Sequence, residues 1–281
     1  TYDEQRFIKY LQLPRQSPII ARKYLEILRN RKTPIATLAA DFRRMSSMPP
    51  IGSDEPLIRA HLSHFFVDAN DYSAYSEYLD ESYLKRVFAE TKILHGLGDV
   101  ERWSSWLSPA EFKQLRERVD IKFSESSRQQ FSADEPVSLD VDIKNVKSLI
   151  VKIYEINSLN YYLAEGREIG TDLELDGLAD NVKHRFEYSE PSFRRVRRHF
   201  EFPELERPGV YVVDFIGNGK SSRTLVRKGK LDFLVSTTTA GHRFTVLGEE
   251  KQTVEDASIW INGTLYEAGE DGTIRVPFST N

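Results

Sequence analysis

The 281-residue sequence contains no cysteine. This absence excludes disulfide bonds, thiolate metal sites and a cysteine nucleophile, and it leaves the redox compartment undecided. No apolar run approaches the roughly 18 to 20 residues that a membrane-spanning helix needs, so we expect no membrane insertion by this chain. Residues 1–4 carry neither a basic nor an apolar stretch. We therefore expect the chain to be a fragment that starts inside a larger protein.

An excess of charge of one sign is also missing. The sequence has 39 Lys and Arg residues against 43 Asp and Glu residues, which gives a formal net charge of −4. Such a balance does not predict a phosphate-binding surface, so we expect no nucleic-acid partner. With 40% hydrophobic and 11% aromatic residues, the chain has enough apolar side chains for packed cores and is not expected to be disordered.

Up to about Val119, apolar residues recur at helical spacing, and residues typical of helix starts separate the runs. Ser17 with Pro18, Thr33 with Pro34, and Ser108 with Pro109 each combine a side-chain cap with a proline that suits the first helical position. Glu111 completes a capping box after Ser108, and Gly96 suits a left-handed helix end. We expect about six helices over residues 1–120, packed as a compact bundle or as an array of helical hairpins. The second proline start predicts a helix through Ile35, Leu38, Phe42 and Met45.

After about Asp120 the hydrophobic period changes to two. Buried and polar positions alternate through residues 137–143, and further strands are expected at 149–156, 182–188, 196–202 and 209–216. These strands, with no expected helical interruption, predict an antiparallel β-sandwich over residues 121–228. Residues 229–281 contain too few strands for a complete sandwich, including an Asn262-Gly263 hairpin, and predict part of a second β domain that the fragment cuts short.

Several stretches of the C-terminal 150 residues carry a resemblance to a known family. They resemble the macroglobulin-type domains of the bacterial alpha-2-macroglobulin family, at residues 131–137, 144–146, 151–154, 208–213, 256–261 and 270–278. The resemblance implies tandem immunoglobulin- or fibronectin-like sandwiches in a large envelope or secreted protein. It therefore also implies an extracellular, periplasmic or cell-envelope location. The family's reactive thioester requires a cysteine. Because this sequence has none, the resemblance implies no covalent trapping chemistry for any of its residues.

Two groups of residues are candidates for binding. Arg194, Arg195, Arg197 and Arg198 form a basic cluster that can bind an acidic partner or a sulfated glycan, or can simply be a solvated strand balanced by neighbouring glutamates. Tyr161 and Tyr162 are expected in a loop and can stack on sugar rings or pack between domains. Trp103 and Trp106, before a helix start, favour packing between domains.

Other motifs favour structural interpretations. His61 and His64 lie three apart on an expected helix, yet no third metal ligand shares their motif. Gly217 to Ser221 lacks the first glycine of a phosphate-binding loop and favours a hairpin turn. Asp68 and Asp71 lack the glycine and final glutamate of a calcium loop. We therefore expect no catalytic residue, no metal and no cofactor.

The sequence predicts a non-catalytic structural or interaction module of a large alpha-2-macroglobulin-like protein, with a relation to protease inhibitors implied by the resemblance. The expected partners are other proteins or other domains of the parent chain, and a glycan is a further candidate. Two alternatives stay open. One is a glycan- or protein-binding module that uses the Arg194–Arg198 cluster, and the other is an unrecognised hydrolase with a site between the helical and β domains.

Overall fold

The computed structural model describes residues 2–38, 52–124 and 127–278. The chain divides into two compact units, one of Thr1–Asp120 with Ser189–Val196 and one of Ile121–Tyr188 with Arg197–Asn281. Helices dominate the first unit and antiparallel sheets dominate the second, so the expected change from helices to strands near Asp120 is confirmed. The finer division into residues 1–120, 121–228 and 229–281 stays a prediction.

The described part of the first unit contains six α-helices and one short parallel strand pair. The helices are α1 (Glu4–Leu11), α2 (Arg22–Asn30), α3 (Glu55–Phe65), α4 (Glu81–His95), α5 (Val100–Ser104) and α6 (Pro109–Glu117). The strands β1 (Arg15–Gln16) and β2 (Ala36–Thr37) pair in parallel. A 3₁₀ turn at Ser73–Tyr75 precedes α4.

Local capping chemistry sets several helix ends as the sequence predicts. The Ser108 hydroxyl accepts from the Glu111 N–H at 3.3 Å, and the Glu111 carboxylate accepts from the Ser108 N–H at 2.8 Å, which is the expected capping box. Gly96 ends α4 with φ of 59°, a left-handed conformation that glycine adopts without steric cost.

Two predicted helix starts are wrong because long-range strand pairing competes with the local signal. Helix α2 begins at Arg22 instead of after Ser17 and Pro18, since Ile20 forms a β-bridge with Leu79 and keeps this stretch extended. No helix follows Thr33 and Pro34 directly, since Ala36–Thr37 forms strand β2. Phe42 and Met45, on which that predicted helix also depended, lie outside the described residues.

Helix α4 supplies much of the helical core. The ring of its Phe88 meets the ring of Phe66 at 5.0 Å and that of Trp103 at 5.6 Å, and Trp103 meets Trp106 at 5.1 Å. Trp103 also donates from Nε1 to the Leu97 carbonyl at 2.7 Å, which satisfies its polar atom in the core. Both indoles thus serve the core of the helical unit itself, whereas the sequence favoured packing between domains.

Two facing sheets form the β-sandwich of the second unit. Their strands are β3 (Asp120–Phe123), β4 (Gln130–Phe131), β5 (Val137–Lys144), β6 (Ser148–Ile156), β7 (Val182–Glu187), β8 (Arg195–Phe202), β9 (Gly209–Gly217) and β10 (Lys220–Lys228). One sheet has the order β4-β10-β9-β6-β7 and the other the order β3-β5-β8. The ring of Phe215 on β9 meets that of Phe200 on β8 at 5.1 Å and that of Phe123 on β3 at 5.4 Å, so the sheets pack face to face.

A helix interrupts the strands where the sequence predicted none. Helix α7 (Ser158–Glu165) follows β6, and it includes Tyr161 and Tyr162, which were expected in a loop. The Asn157 side chain accepts from the Asn160 N–H at 2.9 Å and starts the helix, and Gly166 ends it with φ of 66°. A cap residue and a left-handed glycine, with eight residues between them, are the local cause of this helix.

The last part of the second unit is a three-stranded sheet with a hairpin. Strands β11 (Asp232–Thr238), β12 (Gly241–Leu247) and β15 (Thr273–Pro277) pair antiparallel, and β13 (Ser258–Ile261) pairs with β14 (Thr264–Glu267). Asn262 and Gly263 have φ of 48° and 85°, so the predicted two-residue hairpin is confirmed. Val246, Ile274 and Val276 form its small core.

Candidate functional site

The predicted arginine cluster is dispersed by the geometry of its strand. Because side chains alternate along β8, Arg195 and Arg197 lie on one face and Arg198 on the other. The Arg198 guanidinium stacks over the Tyr188 ring at 3.7 Å, and that of Arg194 lies against Gly96, where an added methyl group would clash. The structure therefore does not bring the four cations to one basic surface.

Two aspartates that the sequence interpretation did not name balance part of the cluster. Arg197 makes a two-pronged ion pair with Asp142, with Nε–Oδ1 and Nη2–Oδ2 distances of 2.9 and 3.0 Å. Arg195 donates to Asp120 at 2.8 Å, and Arg118 pairs with the same carboxylate. Burial by itself raises the pKa of Asp120, but hydrogen bonds and charge attraction from the two arginines outweigh burial and lower it. Binding by the cluster stays an untested prediction.

The two candidate tyrosines lie on different sides of α7. Tyr161 is half-buried against a small core formed by Tyr154, Ile169, Leu175, Val212 and Leu225. Tyr162 points away from that core and is 44% exposed. The structure thus makes Tyr161 an anchor of the helix and leaves Tyr162 available on the surface.

A pocket of about 600 Å³ lies beside Tyr161 in the sandwich unit. Apolar and aromatic side chains from the end of β6, from α7 and from residues 173–179 form its wall, and acidic side chains form its rim. Its cation, Arg167, pairs with Asp172 at 2.8 Å. The lining residues are Tyr154, Glu155, Ile156, Asn157, Tyr161, Glu165, Arg167, Asp172, Leu173, Glu174, Leu178 and Ala179.

Helix α2 presents a basic surface that the sequence interpretation missed. Tyr24 and Leu28 bury one side of the helix in a cluster with Ile20. The opposite side and the helix end expose five cations with one acidic residue, Glu26, among them. The excess of basic over acidic residues in residues 22–32 was the sequence signal that could have revealed this surface. The cations are Arg22, Lys23, Arg29, Arg31 and Lys32.

The two histidines of α3 contact aromatic rings. The His64 ring stacks on Tyr2 with centroids 4.2 Å apart, and the His61 ring stacks on Phe7 at 4.9 Å. Among the described residues, no three His, Cys, Asp or Glu side chains are grouped so that they could hold a metal ion. In the same part of the chain, no helix combines the length and the apolar character that crossing a membrane requires.

The stretch from Gly217 to Ser221 is a tight hairpin. Strand β9 ends at Gly217 and β10 begins at Lys220, and these two residues are register partners. Asn218 and Gly219 form the turn with φ of 46° and 75°. The predicted hairpin is therefore confirmed in place of a phosphate-binding loop.

Comparison with known proteins connects both units to one relative. A family model described as the Actin-binding protein F N-terminal domain matches residues 1–119, and one described as the AbpF first immunoglobulin-like domain matches residues 149–229. Actin-binding protein F of Dictyostelium discoideum is 34% identical over 284 residues. The match covers 100% of this chain and 12% of that protein, so the chain spans a small part of its relative.

Two solved structures of Escherichia coli alpha-2-macroglobulin are also similar. The one that spans domains MG0-NIE-MG1 has a TM-score of 0.39 and 14% identity, over 58% of this chain and 59% of that chain. The one that spans NIE-MG1 has a TM-score of 0.37 and 16% identity, over 59% of this chain and 90% of that chain. Membership of the alpha-2-macroglobulin family is not confirmed. The predicted order of a helical region followed by an immunoglobulin-like β domain is confirmed.

These matches correct the expected location. An extracellular, periplasmic or cell-envelope location is wrong, because the relative that matches the whole chain is named an actin-binding protein and comes from Dictyostelium discoideum. The expectation came from bacterial envelope proteins, and the bacterial source that the resemblance implied is not supported either.

Proposed function

We propose that this chain is a non-catalytic protein-interaction module of a cytoplasmic, cytoskeletal protein and that it binds actin. The observation that supports this proposal is the 34% identity to Actin-binding protein F along the whole chain. Helical and immunoglobulin-like domains are common scaffolds for protein binding. However, a fold alone does not define which ligand is bound. Actin binding by this chain therefore also requires a specific exposed surface.

The surface that we assign to the actin contact is the basic side of α2. Tyr24 anchors the buried side of this helix, and its hydroxyl donates to the Gln12 carbonyl at 2.7 Å. Within residues 2–38, 52–124 and 127–278, no ion pair engages Lys23, Arg29 or Arg31. Their charges are thus available to a partner with an acidic surface.

Exposed Ile27 adds an apolar contact to this basic surface. It lies on α2 between the cations and is 40% exposed. Interfaces that combine a small apolar centre with a charged rim gain affinity from the centre and association rate from the charges. We therefore expect actin binding that weakens as salt screens the cations, since the screening length falls from about 10 Å at 0.1 M salt to about 3 Å at 1 M.

The test is co-sedimentation of the 281-residue chain with actin filaments. An α2 variant that carries Lys23→Gln, Arg29→Gln and Arg31→Gln removes three charges without reversing any. We expect the wild-type chain to pellet with filaments and the α2 variant to lose at least about tenfold in affinity, because each lost rim charge weakens attraction to an acidic surface.

A matched control keeps the charge change and moves it elsewhere in the helical unit. Lys9→Gln, Lys113→Gln and Arg116→Gln remove three exposed cations from α1 and α6. This control should pellet like the wild type. Wild-type chain that stays in the supernatant at every filament concentration would contradict the proposal, and equal losses in the two variants would reject the α2 surface.

The finer roles expected from the sequence stay untested predictions. They are the relation to protease inhibitors, the recognition of glycans by Arg194–Arg198 and the hydrolase alternative. The proposed domain division is a helical domain over residues 1–120, an immunoglobulin-like domain over 121–228 and part of a second β domain over 229–281, and limited proteolysis near residues 120 and 229 would test it.

A further inference from the structure

Helix α7 presents an apolar stripe that its own fold does not use. Leu159, Tyr162 and Leu163 are 50%, 44% and 47% exposed. Their spacing of i, i+3 and i+4 puts them on one side of the helix, while Tyr161 on the other side holds α7 to the sandwich. Single exposed apolar residues are ordinary, but three aligned on eight residues of helix form a patch.

The pocket of about 600 Å³ borders this stripe at Glu165. At about 100° per helical residue, Glu165, which lines the pocket, lies about 60° from Tyr162 around the helix. Leu178, another residue that lines the pocket, is 49% exposed. The stripe and the pocket are therefore neighbours on the surface of the sandwich unit, and we name the two together the α7 surface.

The chain segment that carries the α7 surface is strongly acidic. The segment from Ile153 to Asn181 holds one base, Arg167, which pairs with Asp172 inside the segment. Its acids number seven, namely Glu155, Glu165, Glu168, Asp172, Glu174, Asp176 and Asp180. A pocket with apolar walls and acidic rims favours a partner that carries apolar and basic groups together.

Three of these carboxylates face the pocket without an ion-pair partner in the described part of the chain. Asp180 pairs with Lys152 at 3.4 Å and Glu168 approaches Arg227 at 3.9 Å. No such pair engages Glu155, Glu165 or Glu174, which all line the pocket. These three carboxylates thus make no direct ion pair within the described residues, and Arg167 is the cation that shares the pocket with them.

We propose that the α7 surface binds a basic amphipathic segment of a partner protein. Apolar side chains of that segment pack on Leu159, Tyr162 and Leu163, and a lysine or arginine of it enters the pocket beside Glu155, Glu165 and Glu174. This inference goes beyond the actin contact and does not rest on it, because the surface assigned to actin on α2 has the opposite charge.

The probes for the test are two labelled 14-residue helical peptides with the same leucines at i, i+3, i+4 and i+7. One peptide carries lysine at the remaining positions and the other carries glutamate. Fluorescence anisotropy with the 281-residue chain should give binding of the lysine peptide that is at least about tenfold tighter than that of the glutamate peptide, since the rim attracts one and repels the other.

Two variants divide the α7 surface into its apolar and acidic parts. Leu159→Ser with Leu163→Ser removes the stripe, and Glu155→Gln with Glu165→Gln and Glu174→Gln removes the rim charges. Each should weaken the lysine peptide by about tenfold, the usual loss when central contacts of an interface are truncated. Circular dichroism should give the wild-type spectrum for both, because these side chains are exposed.

Matched controls change the same residue types in the last part of the second unit, at residues 231–267. Leu231→Ser with Leu234→Ser removes two other exposed leucines, and Glu250→Gln with Glu255→Gln and Glu267→Gln removes three other exposed carboxylates. Both controls should bind the lysine peptide like the wild type.

Three results would overturn the proposal. The first is equal affinity of the two peptides, or wild-type affinity of both α7-surface variants. The second is a wild-type dimer in analytical ultracentrifugation that Leu159→Ser with Leu163→Ser converts to a monomer, which would assign the surface to a second copy of this chain. The third is loss of actin pelleting in these variants with the α2 variant unaffected, which would make actin the occupant.

Discussion

Helices α2 and α7 lie at the surfaces of the two units and are built alike, yet they present opposite charge. A tyrosine fixes each of them from one side, Tyr24 in α2 and Tyr161 in α7. The outward side of α2 carries cations such as Lys23, whereas α7 carries an apolar stripe next to acidic residues. When one side of a helix is anchored in a core, packing does not constrain the residues on its exposed side. Two helices that are anchored in the same way can therefore bind different partners.

The anchors themselves give the largest expected difference between the two helices. Tyr24→Ala should lower the free energy of unfolding of the helical unit by about 3 kcal/mol, because it removes a buried ring and its hydrogen bond. Tyr161→Ala should cost only about 1 kcal/mol, because the ring is half-buried. Urea unfolding followed by circular dichroism measures both, and equal costs would show that the two anchors do not differ.

High pH should separate the two units. Burial, reinforced by the Asp54 carboxylate, raises the pKa of Tyr10 to about 12, and burial also raises the pKa of Tyr75 and Tyr83. Above pH 10 the unfolded chain releases these protons while the folded unit holds them, so stability is lost as pH rises through the folded pKa values. The helical unit should therefore unfold first on alkaline titration.

In a Trp260→Phe variant, which lacks the tryptophan of β13, fluorescence reports on the helical unit alone in this titration. Trp103 and Trp106 lie in the helical core, so their emission should shift before the β-sheet signal in circular dichroism changes. In the sandwich unit, burial followed by the charge of Glu155 raises the pKa of Tyr211. Tyr75→Phe serves as the control and should move the fluorescence change to higher pH. Sheet loss that precedes the fluorescence change would contradict the assignment.

The ends of the two helices give the smallest expected effects. Helix α7 ends at Gly166 with φ of 66°, whereas α2 is followed by Lys32 with φ of 54°. Gly166→Ala should destabilise by about 1 kcal/mol, and Lys32→Gly should stabilise by up to about 1 kcal/mol, because only glycine adopts the left-handed region without strain. Thermal unfolding of the two variants should therefore shift in opposite directions, and a shift of the same sign in both would reject the comparison.

Local signals in the sequence predicted the parts of the fold that neighbouring residues decide. The Ser108–Glu111 capping box, the turn at Asn262 and Gly263, and the alternation along β5 all depend on residues close together in the chain. The start of α2 was missed because Ile20 pairs with Leu79, a partner that local periodicity does not reveal. Helix α7 was missed although its cap, Asn157, and its terminal glycine were visible.

The candidate surfaces were predictable only in part, because their function depends on which side of an element faces solvent. Arg194–Arg198 looked like one basic surface, but strand alternation and the carboxylates of Asp120 and Asp142 disperse and balance it. The cations of α2 and the acids around Glu165 could have been counted in the sequence. These charged residues are exposed because Tyr24 is buried and Tyr161 is half-buried on the opposite sides of their helices. The sequence alone did not show which side of each helix is buried.

One paired measurement tests the central claim that α2 and α7 serve different partners. The α2 variant and the Glu155, Glu165 and Glu174 triple variant are each assayed for filament pelleting and for binding of the lysine peptide. The account predicts that the α2 variant loses actin and keeps the peptide, while the triple variant keeps actin and loses the peptide. Loss of both ligands in either folded variant, or loss of neither in both, would contradict it.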